Sequence, residues 1–475
     1  MLENCTSPLP SKTTAVIGVV DSFEPSTIHT KEQHTMNLSR RTFVKATATL
    51  PFLPSLSYAN IIGANERLNV AFIGTGGMGT DHATKLAKRV KEENVSITHV
   101  CDVYRKRLLH AAQVTGAIPT MEYREIIDND DVDAVVISTP DHWHTKIAIE
   151  AMEAGKDVYC EKPLSHTIEQ ALACRDAVHR TGRVLQVGPQ WTSTSRYWAA
   201  GDAIAADRIG KISWSQASYC RNSRGGQFNW TIDQDAGPDQ PKENAGYVWW
   251  DRWLGYEWNL APKIAWNPDH FFRFRKYLAY NGGLATDLLY HRLAPFLRAI
   301  EGPNGAYPSR VVASGGTFLE KDERDIPDTF IMVADYPAEH SIVLASVMTN
   351  DEGLPTLIRG QHGTMFVDEG PKLVGQGTWE AEFKAKNQDK MEVILELPER
   401  RDHMGNFFDA IRNGDELACN VDLGCATMVG IKMAVDALRY DKVMRWDAEN
   451  EKTVASLESP SHILAGLPLP AFVTA

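Results

Sequence analysis

Residues 68–79 read Leu-Asn-Val-Ala-Phe-Ile-Gly-Thr-Gly-Gly-Met-Gly, and their reading decides the fold of the first half of the chain. Leu68–Ile73 is a short apolar run ending at a glycine, which is the pattern of a strand buried on both faces. A helix-compatible segment, Thr80 to Val90, follows the glycines. Strand, glycine loop and helix in that order form a dinucleotide-binding turn. Gly74 permits the tight turn, Gly76 lets a pyrophosphate approach the backbone, and Gly79 allows the helix to pack closely on the strand. Gly77 and Met78 complete the loop ahead of the helix, whose free amides and positive dipole end would face the phosphates.

Outward from that turn, Val95–Cys101 is a second apolar run that ends at Asp102, 23 positions beyond Gly79. A carboxylate at about that spacing accepts the ribose hydroxyls of an adenosine. It should repel a 2′-phosphate, so NAD is preferred, while Arg105, Lys106 and Arg107 close behind leave NADP open. Further strands are expected at Val132–Ser138, Asp157–Cys160 and Val184–Val187, with helices at 145–154 and 168–180 between them. The alternation predicts an α/β fold with a doubly wound parallel sheet and ligands outside the carboxyl ends of the strands. Gly74, Asp102, Pro140, Lys162 and Gly188 all fall at such ends.

The chain has 475 residues, enough for two or three domains, and its 43% hydrophobic content argues against wholesale disorder. With 49 Lys+Arg against 61 Asp+Glu the formal charge is -12, so no general attraction to nucleic acid or anionic lipid is expected. Seven scattered cysteines without CxxC spacing fit neither a zinc site nor a disulfide framework. His142 and His144 flank Trp143 in an H-x-H spacing, but positions two apart on a helix face different ways, and no metal is expected.

Residues 39–45, Ser-Arg-Arg-Thr-Phe-Val-Lys, precede an apolar stretch from Ala46 to Leu56 and small residues at Ser57 and Ala59. This resembles a twin-arginine export signal cleaved before Asn60. Met36 just ahead of it is the expected true start. Removing residues 1–59 takes away five Lys/Arg and four Asp/Glu, so 44 and 57 remain and the mature charge is -13. The expected organisation is therefore an extension and signal over 1–59, a nucleotide-binding domain over 60–188 and a second domain over 189–475.

Three further motifs occur in order: Thr139-Pro140-Asp141-His142-Trp143-His144, then 154–164 with Glu161-Lys162-Pro163 inside it, then 282–291 ending Asp287-Leu288-Leu289-Tyr290-His291. Together with the glycine loop they resemble the Gfo/Idh/MocA oxidoreductases, across nearly the whole mature chain, and most closely the exported members. The resemblance implies a Rossmann domain followed by an α/β domain with a large open, mostly antiparallel sheet that supports homodimers or homotetramers. It implies that Lys162, Asp287 and His291 line the meeting point of nicotinamide and substrate, and that Pro163 follows a cis peptide, the one place where cis costs little. Thr139, Pro140, His144 and Glu161 are placed by the same likeness beside the cofactor. The departure is Leu289, where the family commonly has a small residue two positions before the histidine, with Tyr290 next to it; substrate shape is what this puts in doubt.

Removing hydride from a secondary alcohol needs a base for the hydroxyl proton and firm placement of the carbon against the nicotinamide. Lys162 or His291 can take the proton, and Asp287 can orient the histidine or bind a sugar hydroxyl. Gln190, Trp191, Arg273 and Tyr290 are the candidate substrate contacts. The aromatic run 247–258, with Trp266, Phe271, Phe272 and Phe274, reads equally as a carbohydrate cleft and as a core or subunit interface. Arg221 to Asn244 is polar and Gly-rich and is expected to loop over the cleft or a partner subunit. The leading expectation is an exported oxidoreductase with a tightly held NAD, acting on a sugar, sugar derivative or cyclic polyol. Its rivals are a redox-neutral glycosidase that uses bound NAD for transient oxidation, and a carbohydrate-binding scaffold without turnover.

Overall fold

In the computed structural model, which describes residues 66–456 apart from 369, the first sheet has six parallel strands. They are β1 (Leu68–Ile73), β2 (Val95–Cys101), β3 (Ile118–Thr120), β4 (Ala134–Ile137), β5 (Asp157–Cys160) and β6 (Leu185–Val187), in the order β3-β2-β1-β4-β5-β6. All five pairings are parallel. The order reverses direction between β1 and β4, and a doubly wound sheet opens its ligand crevice at that point. The sequence reading lacks β3, an edge strand of three residues with a proline in the middle and Ile118 exposed. Such a strand has no apolar run to announce it.

Helices begin earlier than hydrophobic periodicity indicates. The first spans Gly77–Ala87, so Gly77 and Gly79 lie inside its opening turn, and the helix carrying the 139–144 motif spans Asp141–Glu153 directly after Pro140. Pro140 caps it from an extended conformation, as expected of a residue that cannot donate to the preceding turn.

The second sheet has ten strands. Thr329–Tyr336 pairs antiparallel with Arg310–Gly316 on one side and with His340–Val347 on the other, and the parallel pairing in this sheet is between Ile212–Ser218 and His340–Val347. One face is covered by the helices Tyr290–Glu301 and Val421–Tyr440: Phe330, Met332, Ile342 and Leu344 share a buried cluster with Leu293, Phe296, Met428 and Val429. The alternation of buried and half-buried positions along Thr329–Tyr336 and His340–Val347 is what a sheet with one covered face requires.

The helix His403–Asn413 lies in the second half of the chain, yet Phe407 and Phe408 are fully buried with Leu68, Val70, Phe72 and Val136 on the first sheet. Gln186 Nε2 on β6 donates to His403 O, and Val187 N donates to Cys419 O, so the end of the chain's second half is tied to the last strand of the first sheet. The expected export signal, Met36, the cleavage point and Cys5 lie outside the described residues. The other six cysteines are free thiols, five of them buried. Among the described residues no helix is long and apolar enough to cross a membrane.

Candidate active site

β1 runs into Gly74, whose φ is +87° and whose Cβ, if it had one, would lie 2.6 Å from Thr139 N. Only glycine allows the ends of β1 and β4 to approach in this way. Gly79 is buried, and a Cβ there would lie 1.9 Å from Gly74 O, so it serves helix packing and does not line the cavity. Gly76 and Gly77 are different: an added Cβ would meet only Arg107 Nη1 at 3.8 Å at the first and nothing within 4 Å at the second. No side chain caps this helix, so its amide donors face an open cradle suited to a diphosphate.

Asp102 Oδ2 accepts from Thr75 N at 2.8 Å, and Oδ1 accepts from Tyr104 N at 2.8 Å. Burial raises the pKa of this carboxyl while Arg107 and the amide bonds pull the other way. Oδ2 also accepts from Thr75 Oγ1 at 3.3 Å, so Oδ1 is the oxygen that keeps a lone pair for a ribose hydroxyl. Of the three basic residues weighed for a 2′-phosphate, Lys106 turns to Asp233 at 2.6 Å, and Arg107 alone lines the cavity. The glycine cradle, the uncapped helix and Asp102 on the wall together fit a dinucleotide.

The cavity, about 700 Å³, extends from Gly74, Gly76, Gly77 and Met78 past Thr139 and Pro140 to Lys162, Asp287 and His291. Lys162 follows β5, and its peptide bond to Pro163 is cis. Lys162 Nζ donates to Asp287 Oδ1 at 2.8 Å and to Asp287 O at 2.8 Å, and Arg275 Nε donates to the same Oδ1 at 2.8 Å. Burial works against the Asp287 carboxylate, but the charges of Lys162 and Arg275 outweigh it and hold its pKa well below the usual carboxylate range. Asp287 sits in a π-helical turn, Ala285–Leu289, that runs into the helix Tyr290–Glu301 carrying His291. Burial, and then the Lys162 cation, lower the His291 pKa to about 3, so the imidazole is neutral at physiological pH.

Glu161 is the other buried carboxylate of the wall. Its Oε1 lies 2.7 Å from His82 Nε2 and accepts from Gln190 Nε2 at 2.7 Å. Burial opposes its charge, yet the His82 hydrogen bond and the neighbouring cations hold its pKa down at about 2. Gln190 thus lines the cavity while tied to Glu161. Trp191 lies on the same wall, stacked on Tyr219 at 5.3 Å between centroids and 5.8 Å from the His291 ring.

Three expected contacts are corrected. Tyr290 is fully buried and donates to Gly424 O at 2.7 Å, so it anchors two helices and does not reach substrate; Leu289 beside it is buried as well. Arg273 donates to Trp230 O at 2.7 Å and Asp269 Oδ1 at 2.8 Å, outside the cavity, and Arg275 takes the place in the wall. His144 is buried with its nitrogens 2.7 Å from Pro163 O and 2.8 Å from Thr139 O, bracing the two loops behind the wall. His142 instead meets Trp253 O at 2.9 Å, so the two histidines diverge.

The aromatic run forms a core, and part of it also faces the cavity. Val248, Trp250, Trp253, Phe271 and Phe272 build a core of their own around Tyr104, and Trp253, Phe271, Phe272 and Phe274 also show an edge to the cavity. This unit is clipped to the nucleotide half, since Trp249 N donates to Val103 O at 2.8 Å and Tyr104 OH donates to Asp233 at 2.7 Å. Sequence reasoning missed His82, Arg221, Tyr219, Trp230 and the buried Asp141, which accepts from Asn281 Nδ2 at 2.7 Å. His82 had a signal in lying on the helix that follows the glycine loop, Asp141 in standing within the 139–144 motif, and Arg221 and Trp230 in the segment expected to loop over the cleft.

A family model described as the NAD-binding Rossmann fold of an oxidoreductase family matches residues 68–189, and that family's C-terminal alpha/beta domain matches 222–465. A Glycosyl hydrolase family 109 protein of Shewanella sp. (strain W3-18-1) is 31% identical over 157 residues, 31% of this chain and 34% of that protein. An Inositol 2-dehydrogenase of Arthrobacter sp. (strain FB24) is 34% identical over 149 residues, 31% of this chain and 44% of that protein. The chain thus matches less than half the length of these curated relatives. The crystal structure of an NAD-binding protein from Listeria innocua superposes with a TM-score of 0.58 at 20% identity, over 80% of this chain and 99% of that one, a likeness of fold. With matches to both halves in order, the chain belongs to the Gfo/Idh/MocA oxidoreductase family.

Proposed function

We propose that the protein transfers a hydride between NAD and a secondary hydroxyl of a sugar, sugar derivative or cyclic polyol. The observation that carries this is the Lys162–Asp287 ion pair beside a neutral His291, at the far end of the cavity that begins at the glycine cradle. Gly74, Gly76, Gly77 and Met78 would hold the diphosphate, Asp102 the adenosine ribose, and Thr139, Pro140 and Glu161 the nicotinamide end. When bound, the nicotinamide supplies the hydride acceptor.

The chain's own groups do the rest. Lys162, fixed by Asp287, donates a hydrogen bond to the reacting oxygen and stabilises the negative charge that develops there. The nitrogens of His291 make no protein hydrogen bond among the described residues, so the neutral ring is free to take the hydroxyl proton or return it. Trp191, Trp253 and Phe274 give apolar faces to a ring and exclude water.

A redox-neutral glycoside cleavage is the second reading, favoured by the Glycosyl hydrolase family 109 relatives. There transient oxidation would acidify the adjacent C–H, the leaving group would depart by elimination, and hydride would return.

The twin-arginine motif supports export to an extracytoplasmic compartment, which lacks a free NAD pool; a retained, internally recycled cofactor follows. The half-buried face of the second sheet supports a homodimer or homotetramer. Mature protein from Asn60, given NAD with sugars, polyols and aryl glycosides, should show lasting nicotinamide absorbance with a keto-sugar product. Released aglycone without lasting reduction selects the second reading, and a Lys162→Ala protein that keeps every activity refutes both.

A further inference from the structure

From the cations left over at the substrate end, we infer that the substrate is a sugar acid, whose carboxylate is received by Arg275 and Arg221. The inference rests on the reading above that the cavity takes a sugar, and adds the charge of that sugar.

Arg275 spends only Nε on the protein: it donates to Asp287 Oδ1 at 2.8 Å, and its two terminal nitrogens have no protein partner among the described residues. They are not sealed either, since neither is among the buried unpartnered atoms, and the residue lines the cavity. The guanidinium is held in place by the Trp230 ring at 5.2 Å and the Phe274 ring at 4.6 Å. A planar fork fixed at one nitrogen with its outer edge open is the geometry that receives a carboxylate through two parallel hydrogen bonds.

Arg221 is the second such group. It lines the same cavity, lies over the Tyr219 ring at 5.1 Å, and gives only Nη2 to Tyr219 OH at 3.2 Å. No carboxylate among the described residues pairs with it.

The charge count points the same way. Asp287 is shared by two cations, Lys162 and Arg275, and so neutralises one of them. Glu161 stays charged and, through its attraction to Lys162, offsets a second. Asp141, which burial pushes up to about 7, feels Arg275 and Lys162 and is largely uncharged below that pH. Of the trio Lys162, Arg275 and Arg221, one positive charge is therefore left unbalanced at the substrate end. Lys162 and Arg221 also both press the His291 ring toward its uncharged form. A bound carboxylate would offset that pressure and make the ring a better proton acceptor. An apolar or merely hydroxylated substrate would leave two guanidinium edges in a half-closed cavity without strong acceptors, which costs binding.

The test uses the full protein loaded with NAD and matched probes of one ring shape: D-glucose, D-glucuronate and glucose 6-phosphate, then the galactose pair. Binding is followed by tryptophan fluorescence, since Trp191, Trp230 and Trp253 line the cavity, and turnover by nicotinamide absorbance. The expected result is an acid bound about 30-fold more tightly than its neutral sugar, a preference that shrinks as salt is raised. Arg221→Gln should reduce that ratio about tenfold, and Arg275→Lys should do the same with Asp287 still paired. Equal binding of acid and neutral sugar, or preference for the phosphate, overturns the inference while leaving hydride transfer intact. Tight, arginine-dependent binding of the acid without any redox chemistry upholds it while the hydride-transfer reading fails.

Discussion

Replacing Asp287 by Asn removes one charge while keeping shape and an acceptor oxygen, and it isolates what the carboxylate does for the cations around it. Asp287 Oδ1 is 2.8 Å from both Lys162 Nζ and Arg275 Nε, and the Lys162 and Asp287 side chains are each only 9% exposed. At an effective dielectric of about 20, one unit pair at that separation attracts by about 6 kcal/mol before desolvation is charged against it. Breaking a buried pair by deleting one partner costs about 3–5 kcal/mol, because the stranded charge stays desolvated. We expect Asp287→Asn to lower unfolding stability in urea by about that amount, with an unchanged m-value. Adding Lys162→Met should return a large part of the loss, since one stranded cation goes with it. The carboxyl's folded pKa lies below its unfolded value, so its contribution is present above about pH 4 and fades as pH falls through the folded value. Parent and variant should therefore converge in acid. A loss under about 1 kcal/mol, or single losses that simply add in the double variant, would mean that solvent and not Asp287 balances these cations.

Burial pushes the Asp141 carboxyl up to about 7, so folding takes up a proton between the unfolded value and 7, and stability should fall as pH rises through that window. Asp141→Asn, which keeps an acceptor for Asn281, should flatten the slope; an unchanged pH profile of urea unfolding would remove Asp141 from the account. Gly79→Ala places a methyl 1.9 Å from Gly74 O and should destabilise the protein by about 3 kcal/mol or more. Gly77→Ala meets open space and should leave thermal unfolding nearly unchanged while weakening NAD about tenfold in a fluorescence titration. Asp102→Ala should weaken NAD by about tenfold or more and NADP by less, read in the same titration.

The first sheet was legible because its signals are local. An apolar run, a glycine loop and a carboxylate at fixed spacing each report their own position, and the strands at 68–73, 95–101 and 157–160 stand where the sequence puts them. The lysine, aspartate and histidine at the cavity end were legible through motif likeness, and the structure brings them together. What failed was direction. Tyr290 and His291 are adjacent, yet one turns into the core and the other to the cavity, because neighbouring positions on a helix point about 100° apart. Arg273 and Arg275 are interchangeable by composition, and only Asp269 and Trp230, brought up by the fold, decide which one is spent elsewhere. His82 with Glu161 and Asp141 with Asn281 join residues 79 and 140 positions apart, a pairing no single stretch contains.

The return of Phe407 and Phe408 to the sheet that starts at Leu68 has a consequence for the timetable of synthesis. A ribosome adding about 5–20 residues per second must work for tens of seconds after β1 emerges before the helix that completes its cover, beside Ala83, Leu86 and Leu108, exists. Until then that face of the nucleotide-binding sheet is greasy and unfinished, a natural client for a chaperone. A nascent chain halted short of residue 403 should stay protease-sensitive in its first half and a complete one should not. The last helices to be made thus act as the certificate that the first strands are ready for use.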